Sequence, residues 1–89
     1  MSLFVVVASS DAEKAEAKLK EKFEPQNLHE ADNNTWFVSA PESIVTPKEL
    51  FDHLEFADGA AGRVLIFMLT SYYGYHFEDT WNWLTAKRS

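Results

Sequence analysis

Apolar residues are concentrated in two runs, one near each end of the chain. Residues 3–8 and 64–69 are each uninterrupted stretches of six apolar residues, rich in β-branched and aromatic side chains. Runs of this length that do not alternate with polar residues are typical of strands covered on both faces. Both strands therefore need one layer of structure above the sheet and another below it.

A helix is predicted directly after the first strand. Residues 10–13 have the spacing of a capping box, in which the hydroxyl of Ser10 accepts a hydrogen bond from a free backbone amide and Glu13 completes the exchange. Apolar residues then recur on one helical face, and Pro25 prevents the helix from continuing. The residues on that face are Ala12, Ala15, Leu19 and Phe23.

The next segment predicts a β-hairpin. Residues 26–31 have the polar character of an edge strand, and residues 35–39 have high strand propensity. Between them, Asp32, Asn33 and Asn34 tolerate the left-handed backbone conformation that a tight turn requires.

A second helix is predicted to begin at Thr46 and to run to about Phe56. Thr46 suits the capping position, Pro47 the first helical position, and Glu49 the third. The apolar residues on its inner side are Leu50, Phe51 and Leu54.

The predicted order is strand, helix, strand, strand, helix, strand. With right-handed crossovers, this order places both helices on one face of a four-stranded antiparallel sheet, which is a ferredoxin-like two-layer α+β sandwich. A chain of 89 residues is expected to form a single domain, with a core over residues 1–70 and a C-terminal extension over residues 71–89. The other face of the sheet needs this extension, a second copy of the chain, or both.

The C-terminal extension predicts a short aromatic-rich helix over the open face. Acidic residues begin this helix and basic residues end it, as the helix dipole favours. Phe77, Trp81 and Leu84 are predicted to form its inward stripe, which leaves Trp83 pointing elsewhere, toward a partner.

Composition and charge narrow the possible partners. The chain has 14 acidic and 8 basic residues, a net charge of −6, and phosphate neutralisation needs the opposite sign, so nucleic acid is not expected as a general ligand. Without cysteine there is no disulfide or thiolate metal site, which favours oligomerisation as a further source of stability. The chain has no membrane-length apolar run and no signal-peptide pattern, so we expect a cytoplasmic protein that does not enter membranes.

The aromatic residues of the extension are the candidate interface. Tyrosine and tryptophan give a large contact area at low entropic cost, and their polar tips suit the rim of a protein interface. Few basic residues accompany them, so a protein is favoured over a stacked nucleic acid as the partner. The predicted interface residues are Tyr72, Tyr73, Tyr75, Trp81 and Trp83.

Candidate catalytic or metal-binding chemistry is limited to Asp11. Mg²⁺ needs only one or two protein carboxylates, so Asp11 is a candidate metal ligand, and the alternative is that it favours the start of the first helix. His29, His53 and His76 fall on separate elements without metal-site spacing. No cofactor is predicted, apart from Mg²⁺ if Asp11 is catalytic.

Three segments of the chain resemble a known family. They are Asn34-Thr35-Trp36-Phe37-Val38-Ser39, Leu50-Phe51-Asp52-His53-Leu54 and Trp81-Asn82-Trp83-Leu84. Together they resemble small bacterial proteins related to the CRISPR-associated adaptation protein "Cas two" and the virulence-associated D proteins, a superfamily of ferredoxin-like homodimers. The resemblance implies a homodimer.

The resemblance also implies two possible roles. Some members hold a divalent cation between two copies and cleave phosphodiesters, using an aspartate at the end of the first strand, whereas others are scaffolds that assemble proteins on DNA. Here that strand is followed by Ser9 and Ser10, and the nearest carboxylate is the later Asp11.

Three functional hypotheses follow from these observations. The preferred one is a non-catalytic, homodimeric scaffold or protein-binding module. The second is a metal-dependent nuclease that uses Asp11 from both copies. The third is an acidic mimic of nucleic acid that inhibits a basic binding protein.

Overall fold

The structure, a computed structural model, describes residues 2–88. Within them it contains four strands and three α-helices. The strands are β1 (Ser2–Ala8), β2 (Leu28–Asp32), β3 (Thr35–Ala40) and β4 (Val64–Met68), and the helices are α1 (Ala12–Lys22), α2 (Pro47–His53) and α3 (Glu78–Arg88). Short 3₁₀ turns at Pro25–Asn27 and Ala57–Gly59 precede β2 and β4.

The four strands form one antiparallel sheet in the order β2-β3-β1-β4. The predicted ferredoxin-like α+β sandwich with a C-terminal helix is thereby confirmed. β1 lies in the middle between β3 and β4, so the two outermost strands are the polar β2 and the apolar β4.

The two faces of the sheet follow from its register. Val6 lies opposite Trp36 on β3 and Ile66 on β4, and these residues face the layer made by α1 and α2, which we call the helix face. Neighbouring residues point the other way, so Phe37 and Phe67 lie on the outer face. The sheet is therefore apolar on both sides, as the unbroken runs predict.

The helix face holds the main core, and both predicted helix stripes contribute to it. Phe51 and Ala12 are partly buried against this cluster. Its buried members from β1, β3, the two helices and the residue directly after each helix include Phe4, Val6, Ala15, Leu19, Phe23, Trp36, Val38, Leu50 and Leu54.

The predicted start of α2 is confirmed, but the helix is shorter than expected. The backbone amide of Glu49 donates to Thr46 Oγ1 over 3.1 Å, and Glu49 Oε1 accepts from the amides of Thr46 and Val45 over 2.9 Å each. The helix ends at His53, because the chain turns into a left-handed conformation at Glu55, with φ of 60°.

The predicted capping role of Ser10 is wrong. Asp11 occupies the position before α1, with φ of 50° and no side-chain capping bond. Ser10 Oγ instead accepts a hydrogen bond from the backbone amide of Arg63 over 2.9 Å. The hydroxyl therefore ties the start of α1 to the start of β4, a partner 53 residues away in the chain.

Gly62 lies against this junction, and we expect its replacement to be costly. Its φ is 77°, and an added Cβ would lie 2.5 Å from Ser10 Oγ and 2.6 Å from Asp11 Oδ2. Left-handed backbone alone costs a non-glycine residue about 1–2 kcal/mol. Gly62→Ala should therefore lower the free energy of unfolding, measured by chemical denaturation, by more than this amount.

Two other glycines provide matched controls. Gly59 has φ of 72° but open space around it, so Gly59→Ala should show the backbone cost alone. Gly74 has open space and no left-handed φ, so Gly74→Ala should be nearly neutral. Equal losses in Gly62→Ala and Gly59→Ala would contradict the close contact at Gly62.

The capping box of α2 predicts a pH dependence. The amides of Val45 and Thr46 donate to the Glu49 carboxylate and hold its pKa below the ordinary glutamate range. A lowered pKa means that the folded state favours the ionised group, so this stabilisation is present above about pH 4.3 and is lost as the pH falls through the folded pKa.

Glu49→Gln keeps an acceptor oxygen but removes the titrating charge. We expect the wild-type protein to be more stable than this variant at neutral pH, and the difference to shrink in acid. Urea denaturation of both proteins between neutral and strongly acidic pH measures it. A difference that stays constant through acid would show that the charge of Glu49 does not stabilise the cap.

Candidate functional site

The helix α3 lies over the β2 side of the outer face. His29 is opposite Phe37 in the β2–β3 register, and its ring stacks between Phe37 and Trp83, with centroid separations of 6.4 and 5.6 Å. His29 Nε2 lies 2.8 Å from Thr80 Oγ1, and both Thr80 and Leu84 are buried. The contact between α3 and the sheet therefore combines a polar pair with aromatic stacking.

A second group of contacts fixes the flank of α3 to the turn before β2. Trp83 Nε1 donates to the carbonyl oxygen of Gln26 over 3.1 Å, and Lys87 Nζ donates to Asn27 Oδ1 over 3.1 Å. Lys87 also lies 6.0 Å from the centre of the Trp83 ring. Polar groups on both sides of the junction thus specify where the helix docks.

The inward face of α3 differs from the predicted stripe. Phe77 precedes the helix and is 73 % exposed, whereas Thr80 is buried together with Leu84. The prediction of Phe77 as an inward residue is wrong, because the hydrogen bond between Thr80 and His29 orients the helix. Trp81 is left partly buried beside the segment that follows β4.

That segment, residues 72–77, forms an aromatic arm against α3. Tyr72 stacks on Trp81 at 6.2 Å, Tyr73 tilts against Trp81 at the same distance, and the Arg88 guanidinium lies 5.7 Å from the centre of the Tyr72 ring. A cavity of about 160 Å³ lies between the arm, α3 and the sheet. It is lined by Phe37, Tyr72, Tyr73, Gly74, Tyr75, His76, Thr80, Trp81 and Leu84.

The five predicted interface residues fall into two groups. Tyr72, Trp81 and Trp83 are partly buried against other parts of their own chain. Tyr73 and Tyr75 are almost completely exposed. Trp83 does point away from Trp81, as expected, but toward His29 and Gln26 of its own chain. Contact of these residues with a partner stays a prediction.

Cover on the outer face stops before β4. Leu3 and Ser39 lie opposite each other on this face, and both are buried. On β4, by contrast, Leu65 is 58 % exposed and Phe67 is 51 % exposed. The prediction that β4 is covered on both faces is therefore not met by residues 2–88 of a single chain.

The exposed part of the outer face continues from β4 onto β1. Val5 lies opposite Phe67 and Val7 opposite Leu65, and both valines are only partly buried. We call Val5, Val7, Leu65 and Phe67 the uncovered strip. All four of its members are apolar, which makes it the strongest candidate for an interaction surface.

Asp11 has a structural position at the start of α1. Its backbone carbonyl accepts from the amide of Lys14 over 2.9 Å, and the residue is exposed. Among residues 2–88 there is no group of three or more histidine and acidic side chains arranged to hold a metal ion. These contacts fit the helix-start role, and the use of Asp11 from two copies as a metal ligand stays a prediction.

The three histidines lie in separate places. The His53 ring makes an edge contact with Phe23 at 5.7 Å, and the His76 ring makes one with Phe77 at 5.2 Å. His29, which sequence reasoning treated as an ordinary imidazole, instead forms the centre of the α3 contact. Its partner Thr80 is 51 residues away, and no local pattern marks such a pair.

No protein-family model matches the chain, and no curated protein matches it. The resemblance to the adaptation and virulence-associated proteins therefore stays a prediction. Across residues 2–88, no helix has both the length and the apolar character needed to cross a bilayer.

The docking of α3 can be tested at Trp83. Trp83→Phe keeps an aromatic ring against His29 but removes the donor to Gln26, and a lost hydrogen bond costs about 0.5–1.5 kcal/mol. Trp81→Phe is the matched control, because Trp81 contacts Tyr72 and Tyr73 through its ring. We expect Trp83→Phe to lower the unfolding free energy more than Trp81→Phe, measured by denaturation followed by circular dichroism. The opposite order would show that the indole of Trp83 does not anchor α3.

Proposed function

We propose that the protein is a non-catalytic homodimeric module that binds or organises other proteins, and that two copies join at β4, the strand that carries Leu65 and Phe67 of the uncovered strip. The observation that carries the proposal is the exposure of Leu65 and Phe67 on the outer face of β4, an outermost strand of the sheet. Apolar surface of this kind on a rigid element marks an interaction site in soluble proteins.

A specific dimer needs more apolar contact area than the uncovered strip provides, and the exposed aromatic side chains after β4 are the candidates for the rest. A standard interface buries about 800 Å² on each partner, and a large aromatic side chain buries about 150–250 Å². Tyr73, Tyr75 and Phe77 are all largely exposed and follow β4 closely in the chain. In the proposed dimer these rings add to the contact area of Leu65 and Phe67, because the strip alone is smaller than a standard interface.

The distribution of charge supports a second copy as the partner. Each chain carries a net charge of −6, so two copies repel each other wherever their carboxylates meet. Residues 59–77 contain no aspartate or glutamate, and this stretch includes β4 and the aromatic arm. Two chains that meet through it avoid placing carboxylates opposite one another.

The scaffold role is the part of the proposal that rests on the resemblance. Non-catalytic members of the suggested family organise other proteins as dimers, and Asp11 here has a helix-start position. In the proposed dimer, α1 and α2 of both copies face outward, so a further protein would meet two copies of the same surface.

A lysine scan of oligomeric state tests the proposed homodimer. We expect light scattering at micromolar concentration to give about twice the chain mass of 10.2 kDa. Phe67→Lys should shift the protein to the monomer, because it replaces an apolar contact between the copies with two like charges close to the two-fold axis. Val45→Lys is the matched control, since Val45 is 53 % exposed and lies in the loop before α2.

The control variant should stay dimeric. A wild-type protein that is monomeric at these concentrations, or a Phe67→Lys variant that dimerises as well as Val45→Lys, would overturn the proposal.

A further inference from the structure

We propose that β4 of one copy pairs with β4 of a second copy, antiparallel and centred on Ile66, to form a continuous eight-stranded sheet. This inference rests on the proposed homodimer and specifies how the two copies meet. Its starting point is the sheet order, in which β4 is an outermost strand with no further strand beside it among residues 2–88. An outermost strand presents backbone N–H and C=O groups that a second strand can pair with.

The two edges of the sheet are protected to very different degrees. The β2 edge carries Glu30 and Asp32, has an irregular register between them, and is contacted by α3. Charges, bulges and covering elements are the devices by which proteins keep an edge from pairing. This edge is therefore closed to another strand.

The β4 edge carries no charge and no bulge, and α2 contacts this strand from the helix face, where Val64 and Ile66 pack. The sequence from Val64 to Met68 contains no charged residue, no proline and no glycine, and its register with β1 is regular. A soluble protein with a long-lived monomer would expose a ready template for aggregation here. Pairing with a second copy prevents such aggregation, because the backbone groups at the edge of β4 are then hydrogen-bonded.

The sequence of β4 is suited to pairing with itself. In an antiparallel pair centred on Ile66, Leu65 of one copy lies opposite Phe67 of the other, and Val64 lies opposite Met68. Every cross-strand pair is then apolar, and aromatic–aliphatic pairs of this kind stabilise a sheet. A pair centred one residue earlier would place Arg63 opposite Phe67 and would leave Met68 outside the register.

Pairing at the edge uses the free backbone groups of β4 and places its outer residues beside those of the second copy. Leu65 and Phe67 lie on the outer face, while Val64 and Ile66 pack against the core of the helix face. In the paired sheet, the two uncovered strips lie side by side across the two-fold axis. A face-to-face dimer would use the outer residues only and would leave the edge unpaired.

Cross-linking through single introduced cysteines distinguishes the two geometries, since the chain has no cysteine of its own. In the proposed pair, the two copies of residue 66 are directly opposite, with Cα atoms about 4.5–5.5 Å apart, which is within disulfide range. Two copies of residue 67 are diagonal neighbours about 7–8 Å apart, beyond that range. Ile66→Cys should therefore oxidise to a covalent dimer, and Phe67→Cys should not.

Each result has one meaning. In a protein that is dimeric by light scattering, a cross-link in Phe67→Cys, with or without one in Ile66→Cys, or no cross-link in a folded Ile66→Cys variant, would overturn the pairing centred on Ile66 and leave the homodimer standing. A monomeric wild-type protein without cross-links would overturn both proposals.

A measurement on the unmodified protein covers the case in which Ile66→Cys does not fold. Hydrogen exchange of the β4 backbone amides should slow as protein concentration rises through the dimerisation range, while exchange of the β2 amides should not change. Exchange of β4 that is independent of concentration, in a protein that dimerises, would overturn the edge pairing.

Discussion

The structure depends on one geometric constraint, which is that a single short helix has to cover the outer face of a four-stranded sheet. Four strands spaced about 4.8 Å apart span about 19 Å, whereas a helix with its side chains is about 10 Å wide. On the helix face, α1 and α2 together cover the sheet, and Phe4 and Val6 are completely buried. On the outer face, α3 has room for about two strands. The exposure of Leu65 and Phe67 is the direct consequence of this difference in width.

Polar contacts decide which half of the outer face α3 covers. Hydrophobic burial is not directional, so it would not by itself choose between the two sides of the sheet. The β2 side offers the imidazole of His29, the carbonyl of Gln26 and the side chain of Asn27, and α3 brings Thr80, Trp83 and Lys87 to meet them. The β4 side offers only apolar side chains. The helix therefore docks where hydrogen bonds specify its position, and the surface left over is apolar.

Local patterns predicted the elements that depend on local interactions. The capping box at Thr46 and the inward residues Leu50 and Leu54 follow from spacings within one helix, and the structure confirms them. Ser10 does not cap a helix, because it binds the amide of Arg63, which is 53 residues away. Thr80 faces inward on α3 because it binds His29, which is 51 residues away. Such contacts exist only once the sheet has brought the segments together, so no spacing in the sequence marks them. The sequence predicts that part of the outer face of the sheet lacks cover, but it does not predict where the uncovered strip lies.

The position of the uncovered surface matters for what a dimer could do. If two copies pair through β4, the two α3 helices stand at the far sides of the joined sheet, and four strands lie between them with no helix above. These strands are β1 and β4 of each copy, and their outer residues form one apolar trough about 19 Å wide. A trough of that width accommodates an additional amphipathic helix, which packs at 8–10 Å from its neighbours. In the proposed dimer, the same shortage of cover would leave an apolar surface for the partner that the proposed scaffold role requires.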